Sequence, residues 1–360
     1  MMLRLFLVTV VCLGLTNVGP AAAQNTPTDQ QILEAWLSSP HADATSAAFR
    51  HWDAEKEIPG TCAVCHSTTG VVDYLAAPRT SPGLIEHSVA IGTTVECAAC
   101  HNDGAKALRE VLFPSGETVS APTSSAICAV CHQGRNSMEQ VSTRVVGLGE
   151  DDVSADIRFI NIHYAAAAST QAGGTARGGF QYEGRSYAGL FGHVEGLGTC
   201  VACHGAHDTR VELESCTTCH KGAADFRAIR TTPLDILGDG DMRAGIGSVI
   251  DQLHGRLEAA IMAYAREVGG GPIAYSAAAF PYFFNDLDAD GVVGEAEAVS
   301  PNAYQSWTPR LLKAAYNYQF VGKDRGAFAH NPHYAIQLMI DSIESLSEAA
   351  KLDTTGLVRP

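Results

Sequence analysis

The chain of 360 residues is 46% hydrophobic, enough for one large domain or two ordinary ones, which excludes a disordered or collagen-like protein. Lys and Arg number 24 against 39 Asp and Glu, and a formal charge of −15 repels phosphate backbones, so nucleic acid is not expected as a partner. What stands out is 11 Cys and 14 His.

At the N-terminus, Arg4 precedes an apolar run from Leu5 to Leu15, and Gly19-Pro20-Ala21-Ala22-Ala23 supplies the small residues of a signal-peptidase site. Residues 1–23 therefore read as a secretory signal peptide, with Gln24 opening the mature chain. The run is shorter than the roughly 20 residues of a membrane-spanning helix. No later stretch is long and apolar enough to span a bilayer, so the mature chain is expected in the periplasm or outside the cell, without a transmembrane segment. Cys12 and Arg4 leave with the signal segment, making the mature chain one charge more acidic.

Every remaining cysteine falls in one repeated pentapeptide: Cys62-Ala-Val-Cys65-His66, Cys97-Ala-Ala-Cys100-His101, Cys128-Ala-Val-Cys131-His132, Cys200-Val-Ala-Cys203-His204 and Cys216-Thr-Thr-Cys219-His220. This is the c-type haem attachment signature. Two thiols three positions apart on one helical turn add across the haem vinyl groups, and the next residue places an imidazole on the iron. Zinc sites also pair Cys-x-x-Cys but do not require the following His. Chance would place His after all five pairs about once in ten million chains of this composition. Disulfides impose no such His, and a thioredoxin-type redox pair would occur once, in a βαβ setting. Five covalent haems are therefore expected, with His66, His101, His132, His204 and His220 as proximal ligands.

Motif starts are separated by 35, 31, 72 and 16 residues, which makes the fourth and fifth haems close neighbours. A segment this short cannot build a protein core around each macrocycle, so the haems are expected to pack against one another and form the core themselves.

Nine His lie outside the motifs, enough to fill the sixth position of five irons. His51, His87 and His193 precede their nearest motifs by 11, 10 and 7 residues. His207 lies one turn past His204, in reach of a neighbouring haem, and His163 sits in the long gap between the third and fourth motifs. These five are the candidate distal ligands. His41 and His330 are reserves; His254, on the polar side of a helix, and His333 are read as solvated or as supporting neighbours of a site rather than as ligands. The four Met beyond the signal segment are read as core residues.

From about Phe226 the composition changes. Ile250, Leu253, Leu257, Ile261, Tyr264 and Val268 recur at helical spacing until Gly269-Gly270-Gly271-Pro272 ends the helix. Thr308-Pro309 and Asn331-Pro332 each look like an N-cap followed by Pro at the first helical position, with helices of roughly 311–320 and 333–350 following. Between them, Asp286-Leu-Asp288-Ala-Asp290-Gly291-Val292-Val-Gly-Glu-Ala-Glu297 matches a twelve-residue calcium loop. Asp286, Asp288, Asp290, the Val292 carbonyl and Glu297 would supply the oxygens. Asp235 to Asp241 shares the Asp-Gly step but has no Glu at position 12.

The stretches His51-Trp52…Cys62, Phe159-Ile-Asn-Ile-His163-Tyr164, Phe191-Gly-His193, Cys200-Val-Ala-Cys203-His204-Gly-Ala-His207 and Gly326-Ala-Phe-Ala-His330-Asn-Pro give the chain a likeness to a known group. It resembles exported multihaem c-type cytochromes with a haem-rich N-terminal region and a helical tail. The resemblance covers most of the mature chain. It implies distal ligation by His51, His163, His193 and His207, and a role as an electron carrier of anaerobic respiration. The Cys-x-x-Cys-Lys motif that looks diagnostic of ammonia-forming nitrite reductases is absent.

The expected fold is thus mainly α and irregular: a haem-packed multihaem cytochrome c domain over 24–225, then a smaller all-α domain over 226–360 with one EF-hand-like calcium loop. Three functions fit. The first is a pentahaem relay with mostly bis-His irons, passing electrons between redox partners that present basic faces. The second is an oxidoreductase with one open haem that reduces a small nitrogen or sulfur oxyanion. The third is a self-assembling haem filament.

Overall fold

The computed structural model describes residues 26–164 and 166–360; the expected signal peptide lies outside the described residues. The N-terminal part is built from short pieces. Helices α1 (Asp29–Leu37), α2 (Ala47–Arg50), α3 (Gly60–His66), α4 (Thr68–Ala76), α5 (Cys97–Cys100), α6 (Asp103–Ala107) and α7 (Thr123–Cys131) come first. They are followed by α8 (Met138–Val145), α9 (Ala167–Ala172), α10 (Cys200–Cys203) and α11 (Leu213–Thr217). Two antiparallel hairpins interrupt them: β1 (Glu57–Ile58) with β2 (Val89–Ala90), and β3 (Glu110–Leu112) with β4 (Thr118–Ser120).

Local signals explain several boundaries. Thr28 and Gln31 close a capping box on α1, and Ser137 with Gln140 does the same on α8. The first motif helix starts at Gly60, where a Cβ would sit 2.0 Å from the Ile85 carbonyl oxygen, so no larger residue fits this crossing of α3 and the β2 strand's approach.

The C-terminal part has the long helices the periodicity anticipates. Helix α12 (Ile246–Tyr264) buries Ile246, Val249, Ile250, Leu253, Leu257, Ile261 and Tyr264 along one face, and a π-turn over Ala265–Gly269 carries it into the glycine run. Helices α13 (Pro309–Lys323) and α15 (Pro332–Ser347) pack against it, with α14 (Ala327–His330) between them. Thr308 accepts from the Leu311 amide and Asn331 from the Tyr334 amide, and each is followed by Pro, so both caps form as the sequence indicates. The region is not purely helical. A hairpin of β5 (Ile273–Tyr275) and β6 (Phe283–Asn285) forms where aromatic and β-branched residues favour a pleated, half-buried surface.

Two apolar clusters hold the chain. The smaller joins Ile58, Val64, Val71, Tyr74, Leu108, Val111 and Phe113 with alanines from α3, α5, α6 and α7. The larger draws Val141, Ile157, Ile162 and Phe180 together with α12, α13 and α15. The two clusters interleave between Val141, where the larger begins, and Ala176, where the smaller ends, ahead of the change of composition near Phe226. The segment that leads to motifs four and five is anchored on the C-terminal helices: Phe180 N–H donates to Asn317 Oδ1 (2.6 Å) and Gly179 N–H to the Tyr334 hydroxyl (3.0 Å).

Candidate haem and cation sites

Each Cys-x-x-Cys-His pentapeptide forms one helical turn or the end of a short helix, which puts both thiols and the imidazole on neighbouring positions. The motif helices then meet each other. Helix α7 lies between α3 and α10. The Cys65 thiol faces Cys131, and the Cys128 thiol faces Cys200. Hydrogen bonding to Cys128 holds the Cys200 thiol down to about 6, while its partner is pushed up. The first, third and fourth motifs therefore form a row with adjacent anchors, and Cys203 lies near Cys216 of the fifth.

The histidines fall into five pairs. Ring centroids are 6.0 Å apart for His66 and His163, 6.2 Å for His101 and His207, and 6.2 Å for His132 and His41. They are 6.3 Å apart for His204 and His330, and 6.1 Å for His220 and His193. Every pair joins one motif His to one His from outside the motifs. A metal–imidazole bond is about 2 Å, and a five-membered ring with bonds near 1.33 Å has a radius of about 1.1 Å. Two imidazoles on opposite sides of one metal atom thus have centroids about 6.2 Å apart. Interplanar angles of 13° to 76° are no obstacle, since each ring can turn about the axis through the metal.

The donor chemistry fits an iron between each pair. His66 Nδ1 lies 2.7 Å from the Ala48 carbonyl, His204 Nδ1 3.0 Å from the Thr209 carbonyl, and His330 Nδ1 2.8 Å from Asp324 Oδ1. In each case Nδ1–H donates and Nε2 is left for a metal, the arrangement metal-bound imidazoles adopt. A ligand must also be neutral. Burial lowers the His41 and His66 imidazoles. It takes His132 to about 4, helped by His41 and His204, and His163 to about 4, helped by His66 and Arg135. Leu190, Val194, Leu197 and Val201, on the approach to motif four and within it, are exposed apolar side chains that a macrocycle bound there can cover.

Backbone detail positions the outer histidines. His41 sits in a 3-10 turn whose carbonyl accepts from the Val95 amide (3.2 Å). His163 and His193 adopt left-handed backbone, φ 71° and 54°, a conformation that costs non-glycine residues about 1–3 kcal/mol and concentrates at ligand sites. His163 is fixed there by Asn161 Oδ1, which accepts its amide (3.1 Å), and by Ile162, whose amide donates to Gln319 of α13 (3.0 Å).

Of the five outer histidines singled out from the sequence, His163, His193 and His207 stand opposite a motif His. The other two stand elsewhere. His51 packs edge-on against Trp52, and it is Trp52 that meets His66. His87 is exposed and pairs with Asp73 at 3.2 Å. The reserves His41 and His330 occupy the remaining two places. Distance along the chain misleads here, because no paired outer His faces the motif nearest to it in the chain; even His193, just before motif four, skips it to reach motif five. His254 is not solvated: its ring stacks on Tyr318 at 3.9 Å and Nε2 donates to the Tyr318 carbonyl at 2.8 Å. His333 is exposed.

In the acidic loop, carboxylate oxygens of Asp286, Asp288 and Asp290 lie within 4.8 Å of one another. Asp286 is 2% exposed, and its Oδ1 has no hydrogen-bond partner, while Oδ2 accepts from the Gly291 amide at 3.0 Å. Such a buried, half-satisfied carboxylate fits a cation. Glu297 is placed differently from a ligand at position 12, since its two oxygens accept from the Leu287 and Gly294 amides, at 2.6 and 2.9 Å. The loop leaves strand β6 rather than a helix, so it lacks the entering helix of an EF-hand. In the second acidic stretch, Asp235 spends both oxygens on the Gly238 and Gly240 amides, each at 2.9 Å.

The motif set and the paired imidazoles define a site of the multihaem c-type kind, and comparison with known proteins agrees with that class. The chain is 27% identical to the "C-type polyheme cytochrome OmcB" of Geobacter sulfurreducens, in two strains, and 26% identical to "C-type polyheme cytochrome OmcC" of the same species. Each likeness covers 84% of this chain and 46% or 45% of the relative. The chain thus spans about half the length of the curated relatives it matches. No family model and no solved structure matches it. Among the described residues, no helix is long and apolar enough to cross a membrane.

Proposed function

We propose that this chain is a five-haem c-type electron relay in which every iron is held between two imidazoles. The observation that carries the reading is the set of five His–His pairs, each uniting one motif His with one outer His at 6.0 to 6.3 Å. The distal ligands in this reading are His163, His207, His41, His330 and His193 for motifs one to five in turn, so His41 and His330 take the roles first expected of His51 and His87. Bound haem supplies a one-electron iron couple, and two nitrogen donors favour the low potentials suited to anaerobic respiration. The protein's part is to fix the ligands and set the anchors side by side through Cys65/Cys131 and Cys128/Cys200. The similarity to polyhaem cytochromes supports the same reading.

An oxidoreductase with an open haem needs one motif His that faces no second imidazole, and all five face one. The charge of −15, to which haem propionates would add, suits redox partners with a basic face in the periplasm or outside the cell. We also propose that Asp286, Asp288 and Asp290, with the Val292 carbonyl, hold one calcium ion outside the cytosol, as a structural clip.

The test is a haem-to-protein ratio with a spectrum of the oxidised protein. Five haems per chain, all low-spin, are expected. Replacing His41 or His330 by Ala turns one haem in five high-spin, whereas His51→Ala and His87→Ala leave the spectrum unchanged. A high-spin haem that binds cyanide readily in the unmodified protein would overturn the assignment.

A further inference from the structure

The ten paired imidazoles are not held alike. Among the described residues, three have a hydrogen-bonded Nδ1, and two of these, His204 and His330, belong to the same pair. The partner of His204 is a neutral carbonyl, as it is for His66. The partner of His330 is a carboxylate: its Nδ1 lies 2.8 Å from Asp324 Oδ1 and 2.9 Å from Oδ2. The Asp324 side chain is 3% exposed, and His330 is its one ion-pair partner among the described residues. Among the described residues no Lys or Arg side chain forms an ion pair with it, Lys323 and Arg325 beside it in the chain included.

The fold builds this contact deliberately. Asp324 ends α13, its carbonyl accepts from the Ala327 amide (3.0 Å) at the start of α14, and Oδ1 also accepts from the Gly326 amide (3.0 Å). Gly326 lies beneath the ring: a Cβ there would sit 2.5 Å from His330 Cε1. Ring, carboxylate and the turn that presents them are one unit.

We propose that Asp324 tunes the His204/His330 site to the lowest reduction potential of the five, an inference that rests on the bis-His reading. Two effects act with one sign. A carboxylate that draws the Nδ1 proton gives the ring imidazolate character and makes Nε2 a stronger donor, which favours the oxidised iron. A buried, unneutralised negative charge beside the site likewise disfavours the added electron. The Thr209 carbonyl on His204 adds to the first effect in the same direction. Asp324 is thus a positioning and tuning residue, not a ligand.

The experiment is a redox titration of the five-haem protein followed optically. In Asp324→Asn, which keeps the shape and loses the charge, all five haems stay low-spin and the lowest-potential fifth of the amplitude moves upward. A tenfold loss of preference for the oxidised form corresponds to about 59 mV for one electron. Asp324→Glu restores part of the shift. In a second and independent measurement, His330→Ala removes the lowest component of the unmodified titration and leaves the other four. The proposal is overturned if Asp324→Asn leaves the lowest fifth in place, if it produces a high-spin haem, which would make the residue a structural prop, or if His330→Ala removes a higher component. Fewer than five low-spin haems in the unmodified protein would instead strike the bis-His reading itself.

Discussion

The two ends of the chain solve the problem of stability by different means. Between Glu57 and Cys131 the helices run to four, five, seven or nine residues, far short of what holds together alone, and the buried side chains are largely Ala and Val, with Tyr74 and Phe113 the large rings. Between Ile246 and Ser347 the three long helices run to 19, 15 and 16 residues, and Tyr264, Trp307, Tyr316, Phe320 and Tyr334 are buried in this stretch. The second region carries its own core. The first has the composition of a lining, in which small side chains leave room for groups the protein itself does not contain.

The strongest way to break this contrast is to withhold haem. In a chain produced without cytochrome maturation, amide exchange is expected to lose protection throughout α3 to α7, α10 and α11, while α12, α13 and α15 stay protected. Equal protection in both regions would show that the short helices need no haem. The converse change sharpens the contrast from the other side. Trp307 is 1% exposed and donates Nε1–H to the Tyr304 carbonyl, so Trp307→Ala is expected to cost about 3–5 kcal/mol in unfolding experiments. The number of low-spin haems should remain five. Loss of several haems in this variant would mean that the two regions fold as one.

How much of this was legible in the sequence follows the same division. Helical periodicity, the Thr308-Pro309 and Asn331-Pro332 caps and the Cys-x-x-Cys-His turns are local, and the chain shows each where it was read. The pairing of His132 with His41, or of His204 with His330, is a contact across 91 or 126 positions and leaves no local trace. Proximity along the chain suggested His51 and His87 instead, and Trp52 and Asp73 are what those side chains meet. A local signal did exist: His330 directly precedes the Asn331-Pro332 cap and His41 follows Pro40, whereas neither a cap nor a Pro adjoins His87. The β5–β6 hairpin leaves little trace in the sequence, because its strands are three residues each, too short for an alternating pattern to stand out.

The acidic loop tests whether the C-terminal region is fully self-sufficient. Asp286 Oδ1 is buried without a partner, so a cation that satisfies it stabilises the folded chain by about 2.7 kcal/mol when present at a hundred times its dissociation constant. Chelation should then lower the unfolding midpoint by roughly 5–10 °C, with no change in the haem spectrum. Asp286→Asn should abolish that response, and Asp235→Asn should not. An unfolding midpoint indifferent to calcium would leave Asp286 as a plain destabilising feature of the loop.

The smallest effect lies at the seam of α12 and α13. Burial lowers the His254 imidazole from its usual value of 6.5, against the raising influence of the Tyr318 carbonyl and of Glu258 and Asp251. The folded state therefore takes up a proton less readily than the unfolded one. The stability this site contributes is complete above about pH 6.5 and is lost as pH falls through the lowered folded value. In the haem-loaded protein the other lowered imidazoles, His41, His66, His132 and His163, are held on iron in the reading above and do not titrate there. His254 is left to set the slope. Between pH 7.5 and 5.5 the unfolding midpoint of the C-terminal helices should fall in the unmodified protein and fall less in His254→Gln, which keeps a donor for the Tyr318 carbonyl but carries no titrating ring. Parallel slopes in the two proteins would assign the acid sensitivity to the haem-lined region, and would make that region, not the helical core, the one whose ionisable groups limit stability.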